Sequence, residues 1–243
     1  MTSPRLSVDI WSDISCPWCF IGKRRFEAAL ATLSFRDQVD VTWHSYQLDP
    51  SLPAHYDGTE FEYLSQKKGM DPAQVKQMLE HVTGQAADEG LHYDFGNLKV
   101  ANSFTAHRLL HLAEAHGLAG EVKEALLSAQ FEKGLDTGDT TVLRRIGTDA
   151  GLAEDDVVAV LESDRYTAEV EADIAQARAL GVTGVPFFVL DMKYGISGAQ
   201  PPEVFAEALT TAWGEVSPLS MVNAGQDPAS GTQAPACGPE GCD

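Results

Sequence analysis

Two thiols set two residues apart, Cys16 and Cys19 in Ser15-Cys16-Pro17-Trp18-Cys19, are the side chains of this chain with the clearest capacity for chemistry. A pair at that spacing can open and close a disulfide with little backbone movement. Thiol–disulfide exchange needs one exposed, acidic thiol to attack and a second close behind it to resolve the mixed disulfide. The order of the residues assigns attack to Cys16 and resolution to Cys19, one turn further in and more buried. Pro17, lacking an N–H, suits a first helical turn, and Trp18 offers a flat apolar cover for a polypeptide. Trp18 brings no cation, so Cys16 is expected within the broad range of ~3.5–7.5 for such thiols but not at its low extreme. A structural zinc site is the competing use of the pair. It would need two further ligands, and none stands at knuckle spacing nearby.

The flanking segments say what holds the thiols. Leu6-Ser7-Val8-Asp9-Ile10-Trp11 alternates and is rich in β-formers, and Phe20 to Leu33 repeats apolar residues at helical intervals. The thiols therefore fall where a strand hands over to a helix. Unpaired N–H groups and the helix dipole favour a thiolate there, and a C-x-x-C in that context reads as a thioredoxin-like redox motif. Val39 to Leu48 is a second strand, stopped by Asp49-Pro50. From Thr59 to about Leu180 the pattern is helical throughout, punctuated by Asp71-Pro72, Gly90, Gly117, Gly134, Asp139-Thr140, Gly151 and Gly181. Strand character returns in Val185 to Leu190, with Tyr194 to Ser197 as its hairpin partner, and Glu203 to Trp213 is a last helix. This order predicts an α/β protein, a thioredoxin-like fold with a large all-helical insertion. Residues 1–58 and 182–216 would form the thioredoxin-like domain, 59–181 the insertion and 217–243 a flexible tail.

Thr183-Gly184-Val185-Pro186 is a second constellation. A proline opening a strand is ordinarily an edge feature. In a thioredoxin-like fold such a proline is cis and faces the thiols, and Val185 before it exposes its backbone to an extended substrate. Three motifs follow one another in order: Cys16-Pro17-Trp18-Cys19-Phe20-Ile21-Gly22, Asn102-Ser103-Phe104-Thr105-Ala106-His107-Arg108-Leu109 and Gly181-Val182-Thr183-Gly184-Val185-Pro186-Phe187-Phe188. Together, over about residues 5 to 214, they resemble the FrnE-like branch of the DsbA-family oxidoreductases, within the superfamily that includes 2-hydroxychromene-2-carboxylate isomerase. The resemblance implies a disulfide oxidoreductase or isomerase with Cys16 as nucleophile, Cys19 as resolving thiol and Pro186 as the cis proline. It also implies that His107 lines the surface near the thiols. Some members carry a C-terminal Cys-x4-Cys, which Cys237 and Cys242 match.

That second pair sits in a Pro-, Gly- and Ser-rich stretch. The span from Val216 to Cys237 has a root-mean-square reach of roughly 25 Å, enough to return to Cys16. A redox shuttle, a soft-metal site and an inert tail are all open. His107 and His111 stand at metal-binding i, i+4 spacing with His116 beyond, but no acidic partner lies between them as a metalloprotease motif requires. No metal is assigned. A carboxylate beneath the thiols, Asp13 or Asp9, could relay a proton, and Glu154-Asp155-Asp156 suits a helix start.

The chain has 243 residues, 44% of them hydrophobic, with 17 basic and 36 acidic residues for a net charge of −19. That balance argues against nucleic acid and anionic membranes as partners. No apolar run approaches the ~20 residues of a membrane helix, and Met1 to Pro4 carries no secretory pattern, so the expected location is the cytoplasm. The expected partners are protein thiols and disulfides, with glutathione or a thioredoxin-type protein as candidate reductants. No organic cofactor is required, because the electrons reside on sulfur. The rival readings are a glutathione-dependent isomerase or kappa-like transferase, which two cysteines rather than one weigh against, and a thiol-based chaperone or metal-binding protein.

Overall fold

The computed structural model describes residues 4–216 and, as backbone alone, a short antiparallel pair, Cys237–Gly238 and Gly241–Cys242. Strand β1 (Leu6–Ser12) runs parallel to β2 (Val39–Ser45), in a register that sets Ile10 opposite Trp43. Strand β3 (Phe187–Leu190) is antiparallel to β1, with Phe188 opposite Ile10, and β4 (Tyr194–Ser197) completes a sheet ordered β2-β1-β3-β4. Helices α1 (Pro17–Ala31) and α9 (Pro202–Val216) pack together beside it. This is the thioredoxin-like α/β arrangement.

Between β2 and β3 the chain inserts a helical block. A short helix α2 (Glu60–Glu62), capped by Thr59, continues as a π-helical turn over Tyr63–Lys67. It is followed by α3 (Pro72–Asp88), α4 (Phe104–Ala115), α5 (Ala119–Phe131), α6 (Thr140–Asp149), α7 (Glu154–Leu161) and α8 (Thr167–Ala179). Asp71 and Asp139 cap α3 and α6 through backbone amides, as their place before Pro72 and Thr140 suggests. The helical pattern expected from Thr59 to about Leu180 is interrupted between Gly90 and Ser103. Leu91, Tyr93, Leu98 and Val100 point inward from an irregular segment, pinned by the Asp94 side chain accepting from the amides of Gly96 and Asn97. Two of those pairs are spaced by two residues, a period that serves an extended backbone better than a helix. Strand β2 also ends earlier than Leu48, since the Leu48 amide turns away to donate to Asp13.

Two packed clusters bind the layers. One joins Leu6, Val8 and Ile10 of β1 to Phe26 of α1, Phe188 of β3 and Phe205 and Leu209 of α9, and extends to Leu109 and Leu126 of the helical block. The other sets Phe20 and Ile21, on the first turns of α1, among Val82, Ala86, Leu127 and Phe131. Each such side chain contributes about 1.5–3 kcal/mol on burial. The α1 N-terminus is therefore held by both parts of the molecule. On the far side, His44 of β2 hydrogen-bonds Asp173 of α8 through Nδ1 and Asp9 of β1 through Nε2, both at 2.8 Å. Burial lowers its proton affinity, but the two carboxylates outweigh this and raise it.

Candidate active site

Cys16 is the N-cap of α1, extended at φ −96°, ψ 114°, with Pro17 at the first helical position. A short turn tightens this corner: the Cys16 amide donates to the Asp13 carbonyl and the Cys19 amide to the Cys16 carbonyl, at 3.3 and 3.0 Å. Both cysteines are free thiols. Cys16 Sγ lies 3.4 Å from the carbonyl oxygen of Val185, which accepts its S–H. The Val185–Pro186 peptide is cis, so the two sequence constellations, 169 residues apart, meet here. Gly22 makes room for that meeting, since a Cβ there would stand 2.8 Å from Pro186 Cγ. Tyr93 Oη donates to the Pro17 carbonyl at 2.6 Å and fixes the turn from the helical side.

Three expectations are corrected. Cys16 was expected to be exposed, yet it is only 4% exposed against 1% for Cys19, because its side chain folds in against Val185. It was also expected to be the acidic thiol. Instead its hydrogen bond with Cys19, burial and the neighbouring negative charges of Cys19 and Asp13 push it up. Burial raises Cys19 as well, but the hydrogen bond with Cys16, the charge of Lys123, the Ser12 hydroxyl and the Asp13 amide outweigh it and bring Cys19 down. The third correction concerns His107. It is fully buried on the inner face of α4 and bonds Asp13 through Nε2 at 3.3 Å, so it lines no surface.

Asp13, also fully buried, is the hub beneath the thiols. Its carboxylate accepts from the Ser15 amide and hydroxyl, the Leu48 amide and His107. Burial alone would raise its pKa, but these partners, His107 foremost, draw it down to about 2. A carboxylate so weakly basic serves poorly as the proton relay considered from sequence. Asp9 is occupied by His44. The i, i+4 histidines part company, His107 to Asp13 and His111 to Asp173 at 3.1 Å, and among the described residues no three His, Cys, Asp or Glu side chains converge to hold a metal.

Beside Cys16 a cavity of about 260 Å³ opens toward the helical block, walled by Pro17, Trp18, Leu52, Tyr63, Met78 and Phe95. Its polar lining includes Glu60, which burial pushes up to about 7, and the Asp49–Lys68 ion pair at 2.7 Å. Sequence reasoning missed this wall and missed Lys123, whose buried neighbours Ala119, Val122, Leu126 and Leu127 mark it as lying on the inner face of α5. The thiols of Cys237 and Cys242, and residues 217–236, lie outside the described residues. The backbone pairing sets Cys237 opposite Cys242.

The family model of the DSBA-like thioredoxin domain matches residues 7–210. Among solved structures, a probable DsbA oxidoreductase from Streptomyces coelicolor is 42% identical, covers 98% of this chain and 99% of its own, and superposes with a TM-score of 0.82. The cytosolic disulfide reductase DsbM from Pseudomonas aeruginosa, solved with GSH, shares the fold at 20% identity and a TM-score of 0.58, over 85% of this chain and 98% of its own. The uncharacterized protein YwbO from Bacillus subtilis is 24% identical over 206 residues, 84% of this chain and 95% of that protein. Since the family model matches residues 7–210 and the 42% identical structure covers 98% of the chain, the protein belongs to the DSBA-like thioredoxin-domain family and is a thiol–disulfide oxidoreductase.

Proposed function

We propose that Cys16 and Cys19 exchange dithiol for disulfide with protein substrates, in reduction, oxidation or isomerisation. In the reducing direction the proton between the two sulfurs moves from Cys16 to Cys19, freeing a Cys16 thiolate. That thiolate attacks a substrate disulfide, one substrate sulfur leaves as thiolate, and a mixed disulfide remains. Cys19 gives its proton to the departing substrate thiolate, then attacks Cys16 Sγ and expels the second substrate sulfur as a thiolate. The substrate has gained two electrons and the enzyme holds a Cys16–Cys19 disulfide.

The observation that carries this reading is the 3.4 Å contact between Cys16 Sγ and the Val185 carbonyl. It puts the attacking sulfur beside a backbone edge with which an extended substrate can pair. In this reading Val185 and Pro186 align the substrate chain, while Pro17 and Trp18 cover the residue next to its cysteine. The division into 1–58 with 182–216 and 59–181 belongs to the same proposal: the first part carries the sulfurs and the second walls the cleft. A cytoplasmic location and glutathione as a reductant are proposed by analogy with the cytosolic reductase seen with GSH. Cys237 and Cys242 are proposed as an auxiliary pair exchanging with Cys16 and Cys19.

The test is trapping. Cys19→Ser mixed with a disulfide-bonded protein should accumulate a covalent adduct at Cys16 that dithiothreitol releases. If no adduct forms while Cys16 stays alkylatable, the assignment of attack and resolution is wrong.

A further inference from the structure

Lys123 is fully buried, and its Nζ makes no hydrogen bond among the described residues. Its position is fixed on three sides. The next residue, Glu124, is clamped to α1 by Lys23 and Arg24. Leu127, one turn on, packs with Phe20 and Ile21 of α1. The Nζ itself stands 5.6 Å over the ring of Trp43, from β2. A cation gains from a ring face, but that does not replace hydration of an ammonium taken wholly out of water.

The charged and titratable groups whose fields reach Lys123 are Cys19, Cys16 and Asp13 at the strand–helix corner, Lys23 on α1 and His107 on α4. Lys23 is already paired with Glu27 and Glu124, at 2.7 and 2.8 Å. Asp13 is already engaged by Ser15, Leu48 and His107. The two sulfurs remain as sites where negative charge can develop, and of the two Cys19 acts on Lys123 more strongly. Burial lowers the proton affinity of Lys123 to about 8, although the sulfurs and Asp13 oppose that fall.

We infer that Lys123, supplied by the helical block, is the buried counter-ion of the Cys19 thiolate and so a positioning residue that sets how oxidising the Cys16–Cys19 couple is. The inference rests on the proposed role of that couple. A cation at this place stabilises the reduced, thiolate-bearing state, whereas beside the disulfide it has no counter-charge and gives up its proton, so it raises the potential. It also accounts for a proton. With Lys123 neutral beside the disulfide, a substrate dithiol delivers two electrons and two protons. One proton goes to Nζ and the other stays with Cys16, leaving an ammonium–thiolate pair and an oxidised substrate.

Lys123→Met keeps the length and removes the charge, a replacement of a buried ion that often leaves folding intact. Against a glutathione buffer, Lys123→Met should move the dithiol–disulfide equilibrium about tenfold toward disulfide, about 30 mV more reducing. Its thiolate alkylation midpoint should rise by about one pH unit. Lys123→Arg should stay near wild type. Unchanged potential and alkylation in Lys123→Met would overturn the inference, whereas a wild type with no reversible Cys16–Cys19 disulfide would overturn the proposed function instead. A readout free of any variant is Nζ titration by NMR in wild type: a higher pKa in the reduced protein supports the counter-ion role, and equal values in the two redox states refute it.

Discussion

Cys16→Ser should reduce insulin disulfides no faster than the uncatalysed background, a loss on the order of 10³-fold or more. The hydroxyl matches the thiol in shape and can still donate to Val185, so the fold should persist and the far-ultraviolet spectrum should not change. What disappears is the ionisable sulfur. A serine hydroxyl does not form an appreciable alkoxide near neutral pH, and the mixed disulfide has no other sulfur on which to form at this edge. Cys19, 1% exposed and behind Cys16, cannot substitute for it. Full activity in Cys16→Ser would refute the assignment.

Asp13→Ala should destabilise the protein by several kcal/mol at neutral pH, since each buried donor left without an acceptor costs about 1–3 kcal/mol. The substitution strands the Leu48 amide and leaves His107, whose Nδ1 already lacks a partner among the described residues, with neither ring nitrogen bonded to any of them. The pH dependence follows from the depressed pKa of Asp13, about 2 in the folded protein. An acid held below its unfolded value of about 3.9 contributes stability that is complete above that value and is lost as the pH falls toward the folded one. The gap between wild type and Asp13→Ala should therefore be flat from about pH 6 to 8 and narrow from about pH 4 to 2. Chemical denaturation across that range checks it. A gap that widens on acidification would mean Asp13 is protonated in the native state.

Much of this site was legible in the chain. The C-x-x-C after an alternating segment and before a helical one marks the sulfurs, and Val185-Pro186 before an aromatic strand marks the edge that meets them. The helix boundaries near Gly90, Gly117 and Asp139 are likewise written in caps and stops. What local pattern could not reveal were properties of the assembled interior. Lys123 and His107 lie among mostly apolar buried residues of their helices, and a sequence does not show that those helices close over Asp13 and the sulfurs. The charges that reach the thiols are hidden for the same reason. Helix-end reasoning considers α1 alone, whereas Asp13 repels charge on Cys16 and Lys123 draws it to Cys19. The buried segment at Leu91–Val100 escaped because its short spacing is hidden among long helices.

The central claim is that Cys16 and Cys19 form a reversible redox couple. The direct measurement is equilibration of the full chain in glutathione buffers of graded potential, followed by acid quench, alkylation and mapping of every cysteine by mass. A Cys16–Cys19 disulfide should appear and disappear with a single midpoint, between about −120 and −270 mV on the scale of thioredoxin-fold proteins. The Cys237–Cys242 pair, if it exchanges with them, should titrate in the same buffers. Cys16 and Cys19 remaining thiols throughout, or pairing only with Cys237 or Cys242, would contradict the account.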